Sequence, residues 1–502
     1  MANTVTETFY TDTNWVCPAG VTSVTVRALY NALDTTGTGA AVGYEQAGSS
    51  FYKTNYGTIY SWGRNDVGQL GLSDLIDRSS PVAVSGITVS KLFHTSNTYE
   101  TCFAINTSGQ LYAWGRNTNG NLGDGTSTNR SSPTLVVGGY QFVNVFTAGI
   151  FATLGITNDG SAYTWGLATY GLLGDNTTTT KSSPVLVVGG LKWKQILFDN
   201  ASAVGLTTSG DAYSWGRNQY GQLGVGDQTD RSSPTAVIGG HKFIKITGGT
   251  SSFYGLTKTG SVYAWGQNAY GNLGNGTTSD KSSPTLVSGN LVFKDIFSNN
   301  GGSQFFGLTA SGSVYSCGDN NQGRLGVGDT TNRSTPTLVL GGLKVRSVYS
   351  NSSSTFFVTT TNEAYGSGYN TNGDLGVGDT TNRSSPTLVL GGLKVLSMST
   401  ENNGLATGFV TTSGKIYACG SNTYGNLGTG DVTKRSSPVL VLNNFGCQTQ
   451  PLSVLNSASG NQSFSVIPGE TYPIVFEQMS SSFNGQPLCQ GPIDKIVVSY
   501  TQ

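Results

Sequence analysis

Charge is scarce in this 502-residue chain: Asp, Glu, Lys and Arg together make up 11%, against roughly 25% in ordinary soluble domains. The 27 basic and 27 acidic side chains cancel to a net charge of zero. With no basic excess, composition predicts no nucleic-acid partner and no polybasic membrane contact, because both need clustered cations against phosphate. No run of 18 apolar residues occurs, so no membrane insertion is expected. Met1-Ala2-Asn3-Thr4-Val5-Thr6-Glu7 has no basic region leading into an apolar stretch, so no secretion signal is expected either.

Catalytic vocabulary is equally thin. There are two histidines, His94 and His241, and neither pairs with a nucleophile or a metal-ligand set. No G-x-S-x-G, H-E-x-x-H or Walker-type phosphate loop is present. A glycosidase carboxylate pair stays open, since separation in space is what matters there, but the acids recur with the repeat described below. The expectation is a protein that is not an enzyme, with no catalytic residues, no metal site and no cofactor. Six cysteines include no CxxC pair. Cys17, Cys447 and Cys489 lie near the ends and Cys102 in a strand; a disulfide between terminal cysteines and reduced thiols both stay open.

What the chain does contain is a phrase copied eight times at a spacing of 50 to 52 residues, starting at Tyr60, Tyr112, Tyr163, Tyr213, Tyr263, Tyr315, Tyr365 and Tyr417. Its fullest form is Y-x-W-G-x-N-x-x-G-x-L-G, as from Tyr213 to Gly224. Each copy is followed by a basic residue and S-S-P or close to it, as at Arg231-Ser232-Ser233-Pro234. A period near 50 with strand-like patterning marks a propeller or array. Within residues 241 to 290, Phe243 to Ile246, Phe253 to Leu256, Val262 to Trp265 and Pro284 to Val287 read as four short strands joined by Gly-rich turns. Pro284 is expected at the first residue of its strand, where it costs no ladder bond.

Alternation along the third strand places the Tyr and Trp of each phrase on one face and a small residue on the other, from Ser61 and Ala113 to Ala418. Trp62, Trp114, Trp165, Trp215 and Trp265 are therefore expected to fill the core, with Cys317 and Cys419 buried in the same position. The basic residues before S-S-P, such as Arg78, Arg231 and Lys281, could form an anion-gripping ring. Local pairing with loop acids such as Asp227, Asp329, Asp379 and Asp431 is the favoured reading. The G-D-x-T loops lack calcium-loop spacing.

These phrases resemble the regulator of chromosome condensation repeat family over roughly residues 45 to 445, most clearly at Trp62 to Gly71 and Trp215 to Gly224. The resemblance implies an all-β fold, a β-propeller of four-stranded blades, usually seven. Eight motif copies allow seven or eight blades, and the apolar first strand expected before Tyr60, around Gly39 to Gly48, is poor. Members act in nucleotide exchange on small GTPases, in chromatin binding and as protein inhibitors of β-lactamase. The first two roles use charged surfaces that a neutral chain is not expected to show.

The ends are similar to the glycine-rich domain of bacteriophage tail fibre proteins: Phe9-Tyr10-Thr11, Trp15 to Val26 with its P-A-G-V-x-x-V-x-V stretch, Pro468-Gly469-Glu470-Thr471-Tyr472 and Ile496 to Tyr500. The long glycine run of that pattern is missing after Leu29, where the repeats begin. Neither end alone has enough apolar surface to fold at its size. The expected organisation is one small β-sandwich built from residues 1–38 and 446–502, with the propeller, 39–445, inserted between them.

The turns between first and second strands differ in every copy, and such turns cluster on one rim of a propeller. The rim candidates are His94, Asn97, Tyr99, Asn200, Asn299, Asn300, Asn351, Glu401 and Asn402. Tyr170, Tyr220, Tyr270 and Tyr424, which follow the motif, could stack on a sugar or pack on the next loop. Three readings compete. One is a virion tail fibre or tip protein, made in the host cytoplasm, that docks to other virion proteins through its terminal β-domain and binds a host-surface glycan or protein. Another is a capsid or tail decoration subunit, and a third a secreted bacterial inhibitor or interaction module. A homo-oligomer is open in each.

Overall fold

The computed structural model describes residues 4–9, 13–16, 23–30, 49–53, 57–94, 100–148, 151–198, 201–249, 251–298, 303–400, 406–441, 462–465, 471–474, 482–483, 486–487 and 493–501. The chain divides into two compact units, Met1–Asp34 with Thr54–Tyr56 and Asn443–Gln502, and Thr35–Lys53 with Gly57–Leu442. In the first, an antiparallel sheet interleaves the two chain ends in the order Thr4–Phe9, Ile493–Thr501, Ser23–Tyr30, Gln462–Ser465. Thr13–Val16 pairs with Thr471–Ile474, setting Trp15 opposite Tyr472.

The second unit is an eight-bladed β-propeller. Blade 1 comprises Ser49–Lys53, Ile59–Gly63 and Arg78–Ala83, and blade 2 Val89–His94, Thr101–Asn106, Leu111–Gly115 and Arg130–Leu135. Blades 3 to 8 repeat the second pattern over 142–186, 193–236, 243–286, 293–338, 345–388 and 395–440. The four strands of a blade lie in chain order from inner to outer. Blade 1 has three strands among the described residues; the segment with the weak apolar pattern, 39–48, lies outside them.

The repeated Trp joins blades. All five are fully buried, and each indole N–H donates to a loop carbonyl of the preceding blade: Trp114 to Gln69 at 3.0 Å, Trp165 to Asn121 at 2.9 Å, Trp215 to Leu172 at 2.8 Å, Trp265 to Gln222 at 3.0 Å. Trp62 donates to Asn426 of blade 8 at 3.0 Å, so the same bond closes the ring. Truncating a buried Trp costs roughly 3–5 kcal/mol, so these positions tolerate little. In blades 6 and 8 the thiols of Cys317 and Cys419 occupy the place, against the Asn272 and Asp374 carbonyls at 3.5 and 3.4 Å. Ser367 does so in blade 7, against the Arg324 carbonyl at 3.5 Å. The lost volume returns from second strands: Tyr254 packs on Phe305, Phe306 on Phe357 and Phe356 on Phe409. The Tyr254 hydroxyl donates to the Asn272 carbonyl, as an indole would.

The motif Asn ties the long loop between third and outer strands. Asn218 is fully buried; its Oδ1 accepts from Leu223 N at 3.0 Å, and its Nδ2 donates to Asp227 O at 3.0 Å and Thr229 O at 3.1 Å. Leu70, Leu122, Leu273, Leu325, Leu375 and Leu427 are held alike by their own loop's Asn. The small third-strand residues do more than make room, because the hydroxyls of Ser61, Thr164, Ser214 and Ser316 donate to the carbonyls of Leu70, Leu173, Leu223 and Leu325 in their loops. The loop Gly at φ 73°, Gly221, lies against Ser282 of the next blade, where a Cβ would stand 2.5 Å from its Cα. The first Ser of each S-S-P uses its carbonyl to accept from the preceding blade, as Ser282 does from Gly226 and, across the closure, Ser79 from Gly430.

Two expectations need adjustment. Pro284 is the fourth residue of its strand, Lys281–Leu286, not the first. It falls where the register shifts between the Gly266–Lys281 and Ala264–Thr285 pairs, a bulge on an edge strand where no ladder N–H is needed. Gly248 and Gly249, read as a turn, still belong to the inner strand Phe243–Gly249. Inner strands are edges too, and neighbours cap their free carbonyls: Lys91 Nζ donates to Val143 O at 2.8 Å, Lys194 to Ile244 O at 3.2 Å and Arg346 to Val395 O at 2.9 Å.

Candidate functional site

Because strands alternate in direction, each blade has two kinds of end. The loop end carries the turns from first to second strand and the long motif loops. The hairpin end carries the short turns from second to third strand and the connectors to the next blade. Almost everything that repeats at the loop end is consumed by the scaffold. The basic residues before S-S-P form ion pairs within their own loops, among them Arg231–Asp227 at 2.6 Å, Arg333–Asp329 at 2.5 Å and Arg435–Asp431 at 2.5 Å. Each Asp carboxyl is held below its usual pKa first by a backbone N–H, from Thr229, Thr331 and Thr433 respectively. The basic residues do not form a converging ring. In blade 5 the acid is replaced by Asn275, and Lys281 has no ion pair among the described residues.

What differs between blades at the loop end is the residue after each W-G or its counterpart: Arg64, Arg116, Leu167, Arg217, Gln267, Asp319, Tyr369 and Ser421. Third-strand geometry puts it beside the start of the second strand, as shown by the bond from Arg116 N to Glu100 O and its counterparts from Leu167 to Phe151 and Arg217 to Ala201. At blades 1 and 2 this builds a charge cluster. Glu100 is 2% exposed. Its Oε2 accepts from Arg116 Nε at 2.9 Å and Nη2 at 2.6 Å, and its Oε1 lies 3.1 Å from Arg64 Nη1. Arg64 also pairs with Asp66 at 2.5 Å. Burial lifts the Glu100 carboxyl above its ordinary range although Arg116 opposes the shift. Glu100 has φ 52°, a left-handed conformation that costs a non-glycine residue of order 1 kcal/mol.

Arg and Tyr alternate further round this end. The Arg64 guanidinium lies 5.7 Å from the Tyr424 ring centroid and Arg217 5.0 Å from Tyr170, within cation–π range. Arg324 reaches from the blade 6 loop to Ser352 O of blade 7 and to Asp319 at 3.1 Å. Tyr170 and Tyr270 are 41% and 47% exposed, while Tyr220 is half-buried and its backbone N–H donates to Gln222.

Of the rim candidates, Asn97, Tyr99, Asn200, Asn299, Asn300, Glu401 and Asn402 lie outside the described residues. His94 ends the inner strand of blade 2, opposite Cys102. Asn351 is buried, and its Oδ1 accepts from the backbone of Ser353 and Ser354, so it closes its own turn and offers no contact surface. The arginines of the cluster and Glu100 were missed as candidates. Their signal was available: variable positions inside an otherwise fixed phrase, three of them Arg in a chain poor in charge. Among the described residues no group of three or more His, Cys, Asp or Glu could hold a metal ion.

An eight-bladed propeller with this loop architecture defines a repeat-propeller class, and sequence comparison names it. The regulator of chromosome condensation (RCC1) repeat matches at residues 56–95, 108–149, 159–197, 209–253, 259–301, 311–358 and 413–463, more than half of the sequence. The chain belongs to the RCC1 repeat family. Blade 7's own phrase, at Tyr365, falls between two matched segments yet builds a full blade. The ultraviolet-B receptor UVR8 of Arabidopsis thaliana is 30% identical over 166 residues, 32% of this chain and 36% of that protein. The E3 ubiquitin-protein ligase HERC2 of Homo sapiens is 38% identical over 85 residues, 17% of this chain and 2% of that protein. The chain thus spans about a third or less of these relatives. Human WBSCR16 superposes with a TM-score of 0.55 at 18% identity, covering 68% of this chain and 96% of that one. Prp20p of Saccharomyces cerevisiae, described with its binding to Gsp1p and histones, gives 0.53 at 18% identity, covering 68% and 88%. At such identities the likeness concerns the fold.

Proposed function

We propose that this chain is a non-enzymatic recognition protein whose binding surface is the loop end of the propeller, centred on the Arg64–Glu100–Arg116 cluster and the neighbouring Arg–Tyr pairs. The observation that carries this is the division of labour at that end. Consensus residues are buried or paired within the scaffold, while four of the eight positions that vary, Arg64, Arg116, Arg217 and Tyr369, hold partly exposed Arg or Tyr, side chains enriched at binding hot spots. A buried Glu held in a strained conformation fixes two of the arginines, which reduces the entropy lost when a partner binds. Proteins of similar fold described as binding other proteins add support.

The finer reading is that of a bacteriophage virion protein, a tail fibre or tip module whose propeller contacts a host-surface protein or glycan and whose terminal strands attach it to other virion proteins. Its support is the likeness of the chain ends to phage glycine-rich domains. The test is binding of labelled full-length protein to intact bacterial cells, alongside R64A/R116A and Y170A/R217A. Saturable binding that drops about tenfold or more in either double variant, for a loss of at least about 1.4 kcal/mol, is the expected result. Equal binding by both folded variants would overturn the assignment of the surface. Absence of cell binding by the parent chain would remove the host-contact reading.

A further inference from the structure

The zero net charge conceals a strong segregation at the hairpin end of blades 2 to 8. The inner strands bring Lys91, Lys194, Lys245, Lys294 and Arg346 into their first halves. The connectors and hairpin turns add Lys192, Lys242, Lys258, Lys344, Lys394 and Lys415. Against these eleven cations stand four acids, Asp159, Asp211, Asp295 and Glu363, a formal excess of seven. The acids are engaged, by Lys192 at 2.7 Å, Lys242 at 2.5 Å, Lys245 at 2.5 Å and Lys394 at 3.0 Å. Lys258, Lys294, Lys344 and Lys415 are exposed and in no ion pair among the described residues.

The same end exposes aliphatic side chains in register. The last residue of the outer strand is Leu186, Leu286, Leu338 and Leu388 in blades 3, 5, 6 and 7, each 46–50% exposed. Val292, on a connector, is 67% exposed. The hairpins of blades 2 to 8 are equally short, Thr-x-x-Gly or a variant, so among the described residues of these blades no long loop projects beyond the cations and aliphatics.

We propose that the hairpin end of the propeller is a peripheral docking face for an anionic lipid bilayer. Short hairpins on blades 2 to 8 let lysines on several blades approach one plane of phosphates together, each contributing to attraction, while exposed Leu and Val reach the headgroup boundary. A linear polyanion such as a nucleic acid would use some of the lysines but leaves the aliphatics without a role. This face is opposite the recognition surface and independent of it.

The test is sedimentation of the full-length chain with vesicles of phosphatidylcholine alone or mixed equally with phosphatidylglycerol, with duplex DNA as competitor at equal phosphate. Binding to the mixed vesicles only, weakened by salt, is expected. K258Q/K344Q/K415Q, which breaks no ion pair, should weaken it about a hundredfold, and L338S/L388S should weaken it at unchanged charge. The proposal falls if the mixed vesicles do not bind, if the lysine variant binds as well as the parent, or if DNA displaces the protein from the vesicles.

Discussion

Replacing Asp374 by Asn should stabilise the propeller, and by more at neutral than at acid pH. Asp374 occupies the position before the motif Leu, inside the blade 7 loop, and is fully buried. In blades 2, 5 and 8 the same position is Asn. The amide of Asn121 donates to Arg116 O at 3.1 Å and Thr101 Oγ1 at 3.2 Å, that of Asn272 to Gln267 O at 2.9 Å and Ser252 Oγ at 3.1 Å, and that of Asn426 to Ser421 O at 3.1 Å. By the repeat, the acceptors in blade 7 are Tyr369 O and Ser354 Oγ. A carboxylate has no N–H for either, and both Asp374 oxygens lack a partner in full hydrogen-bond geometry. Burial lifts its pKa well above the carboxylate range, outweighing the opposing pull of its own backbone N–H and the Ser354 hydroxyl.

The sign follows from proton binding. Between the unfolded pKa, near 4, and the raised folded value, the folded state holds more protons than the unfolded one, so stability falls as pH rises through that window, by about 1.4 kcal/mol per unit. Below it the penalty is absent. The D374N variant would carry no such slope and would gain one or two hydrogen bonds at about 1 kcal/mol each. Urea unfolding of parent and D374N at pH 4, 5, 6 and 7 should therefore show a gain of about 1–2 kcal/mol at the acid end that widens with pH. A difference that is constant across pH, or a less stable variant at pH 7, would refute the reasoning.

Two further substitutions separate buried from exposed parts of the repeat. N218A removes an amide that holds Leu223, Asp227 and Thr229 and should cost about 3 kcal/mol in the same unfolding assay, because Leu223 N–H is left buried and unmet. Blade 3, which has Ala168 here and turns through 169–171 instead, shows that the loop can close another way, so a much larger loss is not expected. R231A breaks an exposed pair with Asp227 and should leave the midpoint almost unmoved at pH 7. Any contribution of that pair is present above the ordinary carboxylate pKa and lost as pH falls through the depressed value, so acid titration of unfolding checks it.

Much of the propeller was legible because its signals are local and repeated. Tyr-x-Trp alternation, the Gly turns and the period of about fifty residues each specify a strand or a bend without reference to distant residues. Pairing of the basic residues with loop acids was legible for the same reason, being a contact at i,i+4 in most loops. The compensations were harder to read. Cys317, Ser367 and Cys419 look like erosion of the Trp position until each is set beside a partner fifty residues or more upstream, Tyr254, Phe306 and Phe356. Only the blade-to-blade packing pairs those positions, and then a lost indole and a gained aromatic ring become one event.

Surface charge is harder to read from the sequence for a related reason. Net charge sums over a chain, whereas a partner meets a face, and a closed ring of antiparallel blades sorts residues by strand end. A Lys just before an inner strand, or within its first residues, is always delivered to the hairpin end, and the loop acids that balance it are always delivered to the opposite one. Zero net charge does not describe either face by itself. The informative quantity is charge counted by position within the repeat. On that count the chain has one balanced end, where Arg is fixed by Glu and Asp, and one cationic end with exposed Lys and Leu. The two proposed surfaces can therefore be tested apart, with separate variants at Arg64 with Arg116 and at Lys258, Lys344 and Lys415.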